Sequence, residues 1–131
     1  MTRADKDLLM KDLCARLPYG IKAEIKYFDG AWELLAIYTN GTTYATRDVG
    51  YPIETFFEDC KPYLLPLSSM TDKQKQELYN LVEESAFQIL HSEDDNPHPH
   101  IAMDWYNKNH FDYRGLIPMG LANDATGLNI Y

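Results

Sequence analysis

Residues 21–49, IKAEIKYFDGAWELLAIYTNGTTYATRDV, decide the fold class. Ile21, Ala23, Ile25 and Tyr27 alternate with Lys22, Glu24 and Lys26, the period of a strand with one wet face. Asp29-Gly30 and Asn40-Gly41 are hairpin-turn dipeptides, because both can reach the positive φ that two-residue turns need. Between them, residues 31–39 are apolar on two faces: Trp32, Leu34, Ala36 and Tyr38 on one, Leu35 and Ile37 on the other. That pattern predicts a central strand covered on both sides. Residues 42–49, rich in Thr and Tyr, complete a three-stranded antiparallel meander.

The flanks supply helices. Leu8, Leu9, Leu13 and Leu17 recur at helical spacing, with Asp5 as the cap and an end near Arg16, before Pro18-Tyr19-Gly20. Cys14 falls among these leucines and reads as a small core residue. After the meander, Tyr51-Pro52-Ile53 is extended, residues 54–60 make a helical turn, and residues 61–67 form a proline-punctuated apolar connector. Thr71 and Gln74 are spaced as a capping box, opening a helix to about Leu90 with Leu78, Leu81, Val82, Ser85 and Ile89 inward. A short helix over 101–109 follows, ended by Asn109 in the left-handed conformation, and then an irregular tail. The expected architecture is a single α+β domain over 1–131. It has an N-terminal helix, the meander, then a long and a short helix packed on the sheet.

The chain has 131 residues, a net charge of −8 and 10 tyrosines. Negative charge opposes binding to phosphate backbones, so a nucleic-acid module using the tyrosine-rich sheet face (Tyr27, Tyr38, Tyr44) is a disfavoured alternative. No apolar run approaches the length of a membrane helix, so a membrane is not an expected partner. Cys14 and Cys60 form no CxxC pair, and a reducing, cytoplasmic compartment is the expectation. Three strands leave two edges, which a homodimer would cover.

Two clusters could carry chemistry. Residues 91–100 hold three histidines and three carboxylates, with His98 and His100 as candidate metal ligands in an extended H-x-H. Residues 104–117 crowd Asp104, Trp105, Tyr106, His110, Phe111, Asp112, Tyr113 and Arg114 together. His110 would emerge at a helix C-terminus, where the dipole favours its charged form. If His98, His100, His110, Asp104 and Asp112 converged, a small metal-dependent hydrolase would be the alternative function. No nucleophile elbow, phosphate loop or dinucleotide fingerprint occurs, and no cofactor is implied. The favoured reading of 104–117 is a structural clasp, with Arg114 bound to a carboxylate or to helix-end carbonyls. A partner-binding face of Trp105, Tyr106, His110, Phe111, Tyr113 and Arg114 comes second.

The strings Leu17-Pro18-Tyr19-Gly20, Pro66-Leu67-Ser68-Ser69-Met70 and Asn109-His110-Phe111-Asp112-Tyr113-Arg114-Gly115-Leu116-Ile117 resemble a family of small uncharacterised proteins. That family occurs in gut Bacteroidetes and in their phages and mobile elements. The resemblance implies a bacterial or phage context and no activity. The expected function is that of a non-catalytic accessory factor that binds another protein.

Overall fold

The computed structural model describes residues 1–47, 50–91 and 101–131, with side chains throughout except over 85–91. Helix α1 spans Arg3–Arg16. Its cap is Thr2 rather than Asp5: Asp5 N–H donates to Thr2 Oγ1, and the Asp5 carboxylate accepts from Thr2 N–H. The reciprocal box satisfies two orphan donors where Asp5 alone would satisfy one. Leu9 and Leu13 face the core, whereas Cys14 is exposed beside Met10, contrary to its expected burial. Cys14 lies one residue past Leu13, about 100° round the helix from the buried stripe.

The meander is longer than the sequence predicts. Strands β1 (Lys22–Ile25), β2 (Phe28–Ile37), β3 (Thr42–Thr46) and β4 (Ile53–Phe56) follow one another antiparallel. A 3-10 turn at Phe57–Asp59 leads into β5 (Cys60–Leu64), which returns antiparallel to β1. The two-residue β6 (Asn123–Asp124) adds parallel to β5. The sheet therefore has six strands in the order β4-β3-β2-β1-β5-β6, not three. Two of the three added strands take up stretches expected otherwise: β4 runs into 54–60, expected as a helical turn, and β5 into 61–67, expected as a proline-punctuated connector. Pro52 stands just outside β4, and Pro62 sits within β5, a strand whose other neighbour is only two residues long.

The sheet is coiled. Phe57 N–H donates to Gly41 O and Lys26 N–H donates to Asp59 O, both at 3.0 Å. Gly41 and Lys26 flank opposite ends of β2, which laid straight would separate them by roughly 33 Å. Three residues and two hydrogen bonds span no more than roughly 16 Å. The strand bends where its pairing register shifts, between Glu24 and Ile25 and between Leu34 and Ala36. The result is a half-open barrel. Its inside is lined by Ala23, Ile25, Trp32, Leu34, Ala45, Cys60 and Leu64, packed with Leu9, Leu13 and Leu116.

The second shift also corrects the reading of β2 as covered on both sides. Leu35, at the bulge, is exposed, and Tyr38 beyond the strand is exposed against Tyr44. The Thr71–Gln74 capping box forms as predicted and opens α2 (Asp72–His91). This helix packs mainly on α3 (Ile101–Lys108) rather than on the sheet. Of its predicted inner stripe, Leu78 and Leu81 are half-buried and Val82 is exposed, while Ser85 and Ile89 fall outside the described side chains.

Candidate functional site

Asp12 and Arg16 sit one turn apart on α1 and are both wholly enclosed, with Nε–Oδ2 at 2.9 Å. The other Asp12 oxygen takes Arg114 Nη1 at 2.7 Å. Arg16 spends its remaining donors on backbone: Nη2 on Phe111 O at 2.6 Å and Nη1 on Tyr106 O at 3.5 Å. A carbonyl near a helix C-terminus favours a cation. One carboxylate thus serves two guanidiniums and ties the first helix to the 106–114 stretch. The expected pairing of Arg114 with a carboxylate is found, on Asp12.

The rings of this stretch close over the triad. Phe111 stacks on Trp105 at 5.6 Å, and Trp105 Nε1 donates to Glu77 of α2. Tyr113 stacks on Tyr106, with Arg114 4.4 Å and Arg16 5.5 Å from its centroid. Backbone bonds Leu65 N to His110 O and Asp112 N to Leu65 O splice Phe111 beside the end of β5. Both Asp112 oxygens accept N–H groups, from Leu116 and Ile117, and so fold the chain back into the core. Of the six residues expected to face a partner, Trp105, His110 and Phe111 are buried, and Tyr106, Tyr113 and Arg114 are half-buried.

His110, rather than Asn109, takes the left-handed conformation after α3, with φ +63°. Its ring lies 3.6 Å from that of Tyr131, nearly parallel. Burial pushes its pKa down to about 4, helped by Arg16 and Lys22. His110 is therefore neutral at pH 7, the reverse of the dipole-based expectation, because desolvation outweighs one helix end. Tyr131 Oη donates to Tyr63 O at 2.7 Å and accepts from Lys22 N–H. Lys22 Nζ donates to Ile130 O.

Asp104 is exposed in the first turn of α3, and Asp112 is committed to backbone. Among the described residues no cluster of three or more His, Cys, Asp or Glu could hold a metal ion. His98 and His100 lie outside the described residues.

A second place was not foreseen. The first hairpin turns at Lys26-Tyr27, not at Asp29-Gly30, so Tyr27 leaves the inner face it was assigned and is 89% exposed. It holds φ +74°, a region bulky side chains rarely occupy. Behind it the hairpin is braced: Asp29 O accepts from both Trp32 Nε1 and Arg47 Nη1, and Arg47 lies 4.8 Å from the Trp32 centroid. Between this tip and β5 runs an open groove of about 470 Å³, lined by Glu24, Lys26, Tyr27, Phe28, Asp29 and Tyr63. Burial and the nearby Glu24 carboxylate raise the pKa of Tyr63. In the sequence, the only trace of the groove is the aromatic pair Tyr27-Phe28 set between Lys26 and Asp29.

Fold and site together define a small α+β protein whose coiled sheet is clasped by its own 104–131 segment and flanked by an aromatic groove. No family model, curated protein or solved structure matches the chain. No helix among the described residues is long and apolar enough to cross a membrane.

Proposed function

We propose that this is a non-catalytic accessory factor that binds another protein in the cytoplasm of a bacterium, in keeping with its resemblance to phage and mobile-element proteins. The docking place in this reading is the groove beside the β1–β2 hairpin, not the 104–117 stretch. The observation that carries it is Tyr27: a large ring held at φ +74° and 89% exposed, on a tip braced from behind. Backbone strain at an exposed aromatic burdens folding and has no packing return, so a binding role is the natural reason to keep it. Rigid aromatic anchors also lose little entropy on binding. The clasp, by contrast, commits the charges of Asp12, Arg16, Asp112 and Arg114 internally, while Asn107 Oδ1, His110 Nδ1 and Tyr113 Oη are buried without a hydrogen-bond partner among the described residues. The metal-dependent hydrolase depends on His98 and His100 and gains no support from Asp104 or Asp112. The nucleic-acid reading gains none from a groove lined by Glu24 and Asp29.

The test is affinity capture from a bacterial lysate with the wild-type chain and a Tyr27→Ala/Phe28→Ser double variant, with captured proteins identified by mass spectrometry. A partner that the wild type retains and the variant loses supports the reading. Equal retention by the two, or no specific partner at all, overturns it.

A further inference from the structure

Resting on the groove as a docking place, we infer that its ligand is an extended, cationic peptide segment whose Lys or Arg side chains lie on the Tyr27, Phe28 and Tyr63 rings against the Glu24 carboxylate. Three observations converge. First, β1 is already paired on both sides, by β2 and β5, so a ligand beside it cannot add as a strand. Recognition there must come from side chains, and a segment extended beforehand loses least entropy. Second, cations already rest on rings at this hairpin. Lys26 Nζ is 5.2 Å from the Tyr27 centroid, and Arg47 lies over Trp32 on the braced side. Aromatic faces attract ammonium and guanidinium groups, more so once water is excluded. Third, the charge is complementary. Glu24 and Asp29 line the groove against Lys26 alone. An adjoining cleft of about 290 Å³ shares Glu24 and Lys26 and adds Asp59 and Glu58, the latter paired with Lys6, against Lys61. The whole chain carries −8, which speeds encounter with a basic partner.

The probe is a short peptide alternating proline and arginine, titrated into the isotopically labelled chain at low ionic strength. Shift changes are expected in residues 22–30 and 60–63, with binding that weakens as salt is added. General attraction to an acidic protein is separated by two variants of equal net charge, Glu24→Lys in the groove and Glu83→Lys on exposed α2. Glu24→Lys should weaken binding about tenfold and Glu83→Lys by much less, because the interaction falls steeply with distance. Tyr27→Ala should weaken it roughly two- to fivefold, the loss of one cation–ring contact. Equal effects of the two charge reversals, scattered shifts or no binding would overturn the cationic ligand. So would equal binding of a peptide with glutamine in place of arginine. If a captured partner still depends on Tyr27 and Phe28 while the peptide fails, the ligand class is wrong and the docking place stands; if both fail, the docking reading falls as well.

Discussion

Arg114 reaches Asp12 across 102 residues of chain and meets it at 2.7 Å, with Asp12 itself wholly buried. The contact joins the first helix to the segment after the last one, and Arg16 holds the same carboxylate from the other side. Removing the anion strands two guanidiniums away from bulk water. Asp12→Ala should therefore cost roughly 3–5 kcal/mol in chemical denaturation, the range for breaking a buried ion pair. Arg114→Gln should cost less, since Arg16 still neutralises Asp12 and the Arg114 side chain keeps 10% exposure. A double-mutant cycle between Asp12 and Arg114 giving no coupling would show that the clasp lies elsewhere.

His110 makes stability depend on pH. Its folded pKa, about 4, lies below the ordinary 6.5 because the buried ring resists charging. For a base depressed in this way, the unfolded chain binds the proton first. Stability is thus unaffected above pH 6.5, falls as pH drops from 6.5 towards 4, and levels off below. The gap corresponds to roughly 3 kcal/mol at about 1.4 kcal/mol per pH unit. His110→Asn keeps a residue tolerant of positive φ and removes the titration. Its denaturation midpoint should vary less between pH 7 and pH 4.5 than that of the wild type, and an unchanged slope would disprove the assignment.

The Tyr131 hydroxyl ties the chain's last residue to two strands, through Tyr63 O in β5 and Lys22 N–H in β1. Tyr131→Phe keeps the ring on His110 and removes both bonds. The expected cost is about 1–2 kcal/mol, two hydrogen bonds at a solvent-accessible site. Amide exchange of Lys22 should quicken by a similar free energy, while exchange in β3 should not change.

What the sequence made legible was local. The α1 stripe, the Thr71 capping box and the Asn40-Gly41 turn each depend on a few adjacent residues, and each forms. What it hid was register and return. The bulge at Leu34–Ala36 inverts the face of everything after it, which no period-two reading can anticipate. β5 pairs with β1 across some 35 residues, and Pro62 made it look unpaired. The clasp was half visible. The density of rings and charges between Asp104 and Ile117 announced it, and Arg114 needed a carboxylate. That the carboxylate is Asp12, one turn from Arg16, could not be read, because an Asp at that spacing before an Arg is ordinary on an exposed helix face.

Tyr27 sets stability against binding. At φ +74° its Cβ crowds the backbone, a cost of order 1–2 kcal/mol that glycine does not carry. At 89% exposure the ring buries almost nothing in return, and its contact with Lys26 is a solvent-exposed cation–ring pair of about 0.5–1 kcal/mol. Tyr27→Gly should therefore leave the protein as stable as the wild type, or more stable by up to about 1 kcal/mol. The same substitution should weaken capture of the groove's partner. Gly30 behaves oppositely. It holds φ +89°, and a Cβ there would stand 2.9 Å from Arg47 Nη1, so Gly30→Ala should destabilise by about 1–2 kcal/mol and loosen Arg47 from Asp29. Melting both variants beside the wild type decides the matter. A Tyr27→Gly chain that loses stability would mean that the ring supports the hairpin, and the functional reason for its strain would disappear.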